Sequence, residues 1–267
     1  MPPNGHHLSF KRTAFTLNKS TFMLPTIKHR FSIPFFQKAF LWLLVSLVAI
    51  LCVGQFTNID LMIQDYYYDA ERKIFPWDQT WFAYYFMHDH VKAVIIRSGQ
   101  LLILLMLIDA IKPWQKMNAF VRTRLRFIAI ASLLVPAVVR TVKHYSVLHC
   151  PFEIDRYGGD TPFIRLLDSV PAFVKDGHCF PAGHATTGLW LAAICVFWLP
   201  HNTTRATQMF FAGLSVGVIL GWVQQMRGHH FLFHTLWSSW IASLVLVVML
   251  FVFAGKIFKP DDSTATQ

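Results

Sequence analysis

The sequence predicts an all-α integral membrane protein, a bundle of six transmembrane helices. Three observations carry this. Only 14% of the 267 residues are charged and 54% are hydrophobic, whereas an ordinary soluble domain carries roughly 25% charged residues. The mean hydropathy is +0.42. The apolar residues also gather into six runs, each near the roughly 20 residues a helix needs to cross a bilayer.

The runs are 39–56, 93–111, 127–142, 183–199, 208–226 and 231–254. The first follows a basic leader, 1–38, and no small-residue cleavage site comes after it, so it reads as a span and not as a cleaved signal. The third and fourth are short, and the third carries Pro136 and Arg140. The fourth opens on Pro181 and Gly183, ordinary punctuation for a helix start. The fifth ends on Gln224 and Arg227, three apart and on one face, before Gly228 breaks the helix. The sixth opens with His230 and His234, four apart and again on one face. One membrane domain, 39–255, and a short tail, 256–267, account for the rest of the chain.

The net charge of +10 does not point to nucleic acid, which needs a basic face on a soluble module. Here the cations flank the spans. The leader holds Lys11, Arg12, Lys19, Lys28, Arg30 and Lys38, and the segment between the second and third runs holds Lys112, Lys116, Arg122, Arg124 and Arg126 with no acid. The positive-inside bias then makes both termini cytoplasmic. Loops 57–92, 143–182 and 227–230 face the other side, in a bacterial cell the periplasmic face of the inner membrane.

That topology brings three polar clusters to one membrane depth. The first is Lys143 to Pro151, the second Cys179 to Ala185, the third Gln224 to His234. Lys143 alone reads as a snorkelling interfacial lysine or as a phosphate-binding cation. At the second cluster, backbone N–H groups at the helix start point at anything anionic, Gly183 allows close approach, and His184 can donate a proton. Three histidines and Arg227 at a membrane boundary are costly without partners. His88 and Asp89, in the loop after the first run, read as an ordinary surface pair, with reach into the site as the alternative.

Order and spacing resemble the PAP2 superfamily, whose pattern is K-x6-R-P, then P-S-G-H, then S-R-x5-H-x3-D. Lys143-x6-Cys150-Pro151 matches the first motif with Cys for Arg. Pro181-Ala182-Gly183-His184 matches the second with Ala for Ser. Gln224-x5-His230-x3-His234 matches the third with Gln for Arg and His for Asp. The wording around the motifs is similar to a bacterial branch of that superfamily, and the resemblance covers about residues 40–255.

The resemblance implies a six-helix bundle with a PAP2-type core and a phosphatase acting on a lipid or lipid-linked phosphate in the bilayer, without cofactor or metal. His230 would attack phosphorus and form a phosphohistidine. His184 would protonate the leaving oxygen. His234 stands where the family places a carboxylate, so it would accept the Nδ1 proton of His230. Lys143 and backbone N–H groups near Gly183 would hold the phosphoryl oxygens. Arg227, beside Gln224, would replace one of the two family arginines, and Arg156 or Arg140 the other. Cys150 and Cys179, each beside a motif in the non-cytoplasmic loop, would form a disulfide in an oxidising compartment.

Two close alternatives use the same residues: transfer of the phosphoryl group to another lipid, and a non-catalytic lipid-binding relative. A third is a zinc site on His184, His229, His230 and His234, since His-x3-His is a good helical pair. Phosphatidylglycerol phosphate, phosphatidate, isoprenyl pyrophosphate and lipid A phosphates all remain open as substrates. The sequence does not reveal the oligomeric state.

Overall fold

The computed structural model describes residues 30–258. Most of the basic leader and most of the tail therefore lie outside the described residues. Within them the chain is all-helical and without strands; only isolated bridges pair Asp69 with Ile74 and Ile154 with Thr161.

Helix α1 is Pro34–Phe56 and α2 is Ile59–Tyr67. A π-helical stretch, Trp81–Val91, runs directly into α3, Lys92–Ile111. Next comes α4, Ala119–His144. Helix α5, Gly183–Leu189, tightens into a 3₁₀ segment, Trp190–Trp198. Helix α6 is Thr203–Met226, α7 is Leu232–Val252 and α8 is Ala254–Ile257.

Five helical stretches are long and apolar enough to cross a membrane: α1, Trp81–Ile111, α4, α6 and α7. The fourth expected span, Gly183–Trp198, is shorter than those five. Seven α residues at about 1.5 Å and nine 3₁₀ residues at about 2.0 Å reach about 28 Å, close to the roughly 30 Å of a hydrocarbon core. Several bounds move outward from the expected ones. Helix α4 runs through Pro136 without ending, and the second span gains the π-helical stretch at its start.

The α5–3₁₀ segment lies at the centre of the bundle. Ala185, Leu189, Ala192, Ala193 and Val196 are fully buried in the main core, with Phe127 and Val135 of α4 and Leu246 of α7. Its backbone packs directly on α6. A β-carbon at Gly213 would collide with the Ala192 backbone, and one at Gly217 with the Leu189 side chain and the Ala185 carbonyl. Small residues allow this approach where lipid offers no hydrophobic drive.

Two polar contact sets mark the ends of the bundle. At one end, buried Asp109 accepts from Arg122 and Arg126, and Arg124 donates to the Leu199 carbonyl. Arg30 donates to the Phe251 carbonyl there. At the other end, Gln55 of α1 meets Asp168, and Asp60 accepts from the Phe233 N–H in the first turn of α7. The segments therefore alternate in direction, and Lys143, His184 and His230 all lie at the second end.

Gly217→Ala should lower stability by about 1–3 kcal/mol through overpacking. Ser215→Ala, on the exposed face of the same helix, should stay within about 0.5 kcal/mol; thermal unfolding in detergent reads both. Asp60 gives a second test. Burial raises its carboxyl from 3.8 to about 6, against the hydrogen bonds from Phe233 and Leu232. The folded chain then holds a proton that the unfolded chain releases near 3.8. Stability should fall as pH rises from about 4 to about 6 and level off above. Asp60→Asn should remove that slope.

Candidate active site

The three polar clusters meet at one end of the bundle and are joined by backbone as well as side-chain contacts. The Phe152 N–H donates to the Gly228 carbonyl at 3.1 Å, tying the first cluster to the third. The Ala182 N–H donates to the His234 carbonyl at 3.1 Å, tying the second to the third. Ser238 donates to the Ala182 carbonyl at 2.9 Å. A disulfide joins Cys150 to Cys179, with Cα atoms 5.3 Å apart, and so ties the first cluster to the second.

Within this frame the His184 and His230 rings lie 5.8 Å apart between centroids, and the His230 and His234 rings 5.7 Å. Lys143, at the last turn of α4, runs its stem beside Gly183. A β-carbon there would only just touch Lys143 Cδ, at 3.8 Å, so the space over Gly183 is open. His230 is held from behind: Gln64 of α2, fully buried, donates to its carbonyl at 3.0 Å. Burial, then the neighbouring His234, Lys143, His184 and His229, pushes the His230 imidazole well below its usual range. It therefore stays neutral and keeps a free lone pair at neutral pH.

The hydrogen bond expected from His230 Nδ1 to His234 is absent among the described residues. That nitrogen lies 3.5 Å from Cys179 Sγ. The His234 ring packs on Phe180 and Phe231, and its Nδ1 is buried without a partner. The geometry gives the carboxylate-like position to the disulfide sulfur, because the Ala182–His234 backbone bond and Ser238 hold α7 in a register that turns His234 towards the core.

Arg227 also differs from the expectation. It is 4% exposed, and its guanidinium donates to Asp78 Oδ1 at 3.0 Å, to the Asp78 carbonyl at 2.9 Å and to Gln224 Oε1 at 3.0 Å. His229 meets the same Asp78 oxygen at 2.8 Å. Burial pushes the Asp78 carboxyl up, but hydrogen bonds from Gln79 and His229 and the Arg227 charge outweigh it, and the carboxyl stays below its usual range. Arg227 thus clamps the turn after α6 to the 75–80 loop. Arg156 pairs with Asp65 through two bonds of 2.7 and 2.8 Å outside the cluster, and Arg140 is exposed on α4. Neither sits among the histidines.

His88 is not a surface residue of no consequence. The π-helical stretch turns it inward, and its Nε2 lies 3.0 Å from His184 Nε2. Lys92, Gln224 and Met87 line the same cleft. Sequence reading missed Gln64 and Asp78 as site residues and favoured a surface role for His88 over reach into the site. The one available signal was a His-Asp pair at the entrance of a span.

Among the described residues, the one group of three potential ligands within metal distance is Cys150, Cys179 and His230. Its two sulfurs are bonded to each other. The four histidines of the zinc alternative do not converge in that way.

The arrangement defines a helical membrane protein with a buried histidine site at one end of the bundle. A family model of the PAP2 superfamily matches residues 124–257, half of the chain and all three motifs, and the chain belongs to that superfamily. The superfamily comprises phosphatases and phosphotransferases. No curated protein and no solved structure matches the chain. Gln64, Asp78 and His88 lie outside the matched region.

Removing the disulfide with Cys150→Ser and Cys179→Ser should cost about 3–4 kcal/mol on the loop-entropy estimate for a separation of 29 residues. Non-reducing peptide mapping of the native protein should recover the Cys150–Cys179 pair. Two free thiols in membranes prepared without reductant would contradict it.

Proposed function

We propose that the chain is a membrane phosphatase that removes a terminal phosphate from a lipid or lipid-linked phosphate through a phosphohistidine on His230. The observation that carries this is the facing pair His184 and His230 beside Lys143, at one end of an apolar bundle. The pair would serve a phosphoryl group as imidazole nucleophile and imidazole acid.

His230 Nδ1 faces sulfur, so Nε2 is the attacking atom. As the P–N bond forms, the P–O bond to the lipid breaks and His184 gives the leaving oxygen a proton. Lys143 holds the phosphoryl oxygens, and the open space over Gly183 admits them. Water then attacks phosphorus, His184 takes its proton, and His230 is released. Arg227 contributes by holding Gln224 and the 75–80 loop in place, a reading that supersedes a direct phosphate contact.

The segment Gly183–Trp198 is proposed as a further crossing, fourth in chain order, that brings the total to six, its 3₁₀ stretch supplying the missing length. With the charge bias, this sets both termini in the cytoplasm and the site at the opposite, periplasmic face of a bacterial inner membrane.

Phosphate release should be screened over phosphatidate, phosphatidylglycerol phosphate, isoprenyl pyrophosphate and lipid A in detergent. His230→Ala should lower it by about a thousandfold or more. A phosphate label stable in alkali and lost in acid should form on the wild type and not on the variant. Release should survive EDTA. An active His230→Ala would overturn the reading, and label passing to an added acceptor lipid would make the enzyme a phosphotransferase.

A further inference from the structure

Three groups from two separate parts of the chain form a line that the three motifs do not contain. Asp89 Oδ1 lies 2.9 Å from His88 Nδ1, and His88 Nε2 lies 3.0 Å from His184 Nε2. Exposure falls along the line: Asp89 is 45% exposed and His88 19%, while the other ring nitrogen of His184, Nδ1, is buried without a partner. The His88 ring stacks on Tyr84 at 5.6 Å, and Tyr84 lies under the Arg227 guanidinium. The line therefore leads from the exposed edge of the bundle to the residue proposed as the acid, and its middle member is fixed on two sides.

We infer that Asp89 and His88 act as a proton relay behind His184, holding and replenishing the proton that His184 gives to the leaving oxygen. This rests on the reading of His184 as the general acid. His88 and Asp89 are positioning residues: they act through His184 and do not touch the phosphate.

The chemistry balances. With a proton shared along the line, His184 bears N–H on both nitrogens. One faces His88 and the other donates. As the P–O bond breaks, its electron pair stays on oxygen and takes that proton, while the P–N bond to His230 forms. The line is then one proton short. In the second step water attacks phosphorus, the P–N electron pair returns to His230, and the proton from water restores the line. The Asp89 carboxylate beside His88 and the substrate's own phosphate charge favour the extra proton on the line. A buried imidazole without such an acidic partner would lose its proton before the ester bond stretched.

A relay behind an acid leaves a mark that mere packing does not. A leaving alkoxide needs the proton, whereas a leaving nitrophenolate scarcely does. The experiment compares kcat/KM for octyl phosphate and p-nitrophenyl phosphate, using the full chain in detergent. His88→Gln and Asp89→Asn should each lower the octyl phosphate value, His88→Gln by about tenfold or more. The p-nitrophenyl value should stay within about threefold. The ratio of the two is insensitive to the fraction of protein correctly folded. Equal loss on both substrates, or no loss on either, would overturn the relay. Failure of the parent reading looks different: His230→Ala would then retain activity, or the wild type would turn over neither substrate.

Discussion

The close backbone contact between the central segment and α6 is the constraint on which the rest of the structure depends. Gly213 and Gly217 carry no side chain, so the α5–3₁₀ segment can lie against α6 backbone to backbone. Helix α4, α7 and the α6 face then close around it in one core. In a membrane this contact has to come from packing, since lipid tails are as apolar as the side chains. The same contact sets the depth of the first turn of α5, and so where His184 stands relative to His230.

Around that packed centre the polar groups are matched with care. Removing a hydrogen-bonding group from water is costly unless it finds a partner, and the 57–92 region supplies several. Asp60 meets the first turn of α7, Gln64 holds the His230 carbonyl, and Asp78 collects Arg227 and His229. Each of these contacts bridges more than a hundred residues of sequence and ends on the turn that carries His230. The region that looks like a connecting loop in sequence is therefore the outer wall of the site. His88 belongs to the same wall.

The departures from the family pattern become easier to understand in this light. Cys150 replaces an arginine in the motif and takes part in a disulfide, and its partner Cys179 lies beside His230 Nδ1. Gln224 replaces a second arginine and receives a hydrogen bond from Arg227, which in turn is neutralised by Asp78. Lys143 remains as the cation of the first motif. The site thus has less fixed positive charge at the motif positions than the family pattern implies, and more of its order comes from covalent and backbone ties.

Composition and the spacing of apolar runs were enough to define a helical membrane protein, because twenty apolar residues in a row have few other uses. Charge bias and motif order were enough to gather Lys143, His184 and His230 at one end, since an even number of reversals separates the three segments. What a side chain touches was not legible. Nothing in the spacing of His230 and His234 reveals that a backbone bond from Ala182 turns His234 away, or that a π-helical stretch turns His88 inward. Those are decided by helix rotation and winding. Rotation and winding follow from which small residues let which backbones approach, a property of the assembled bundle and not of any single segment.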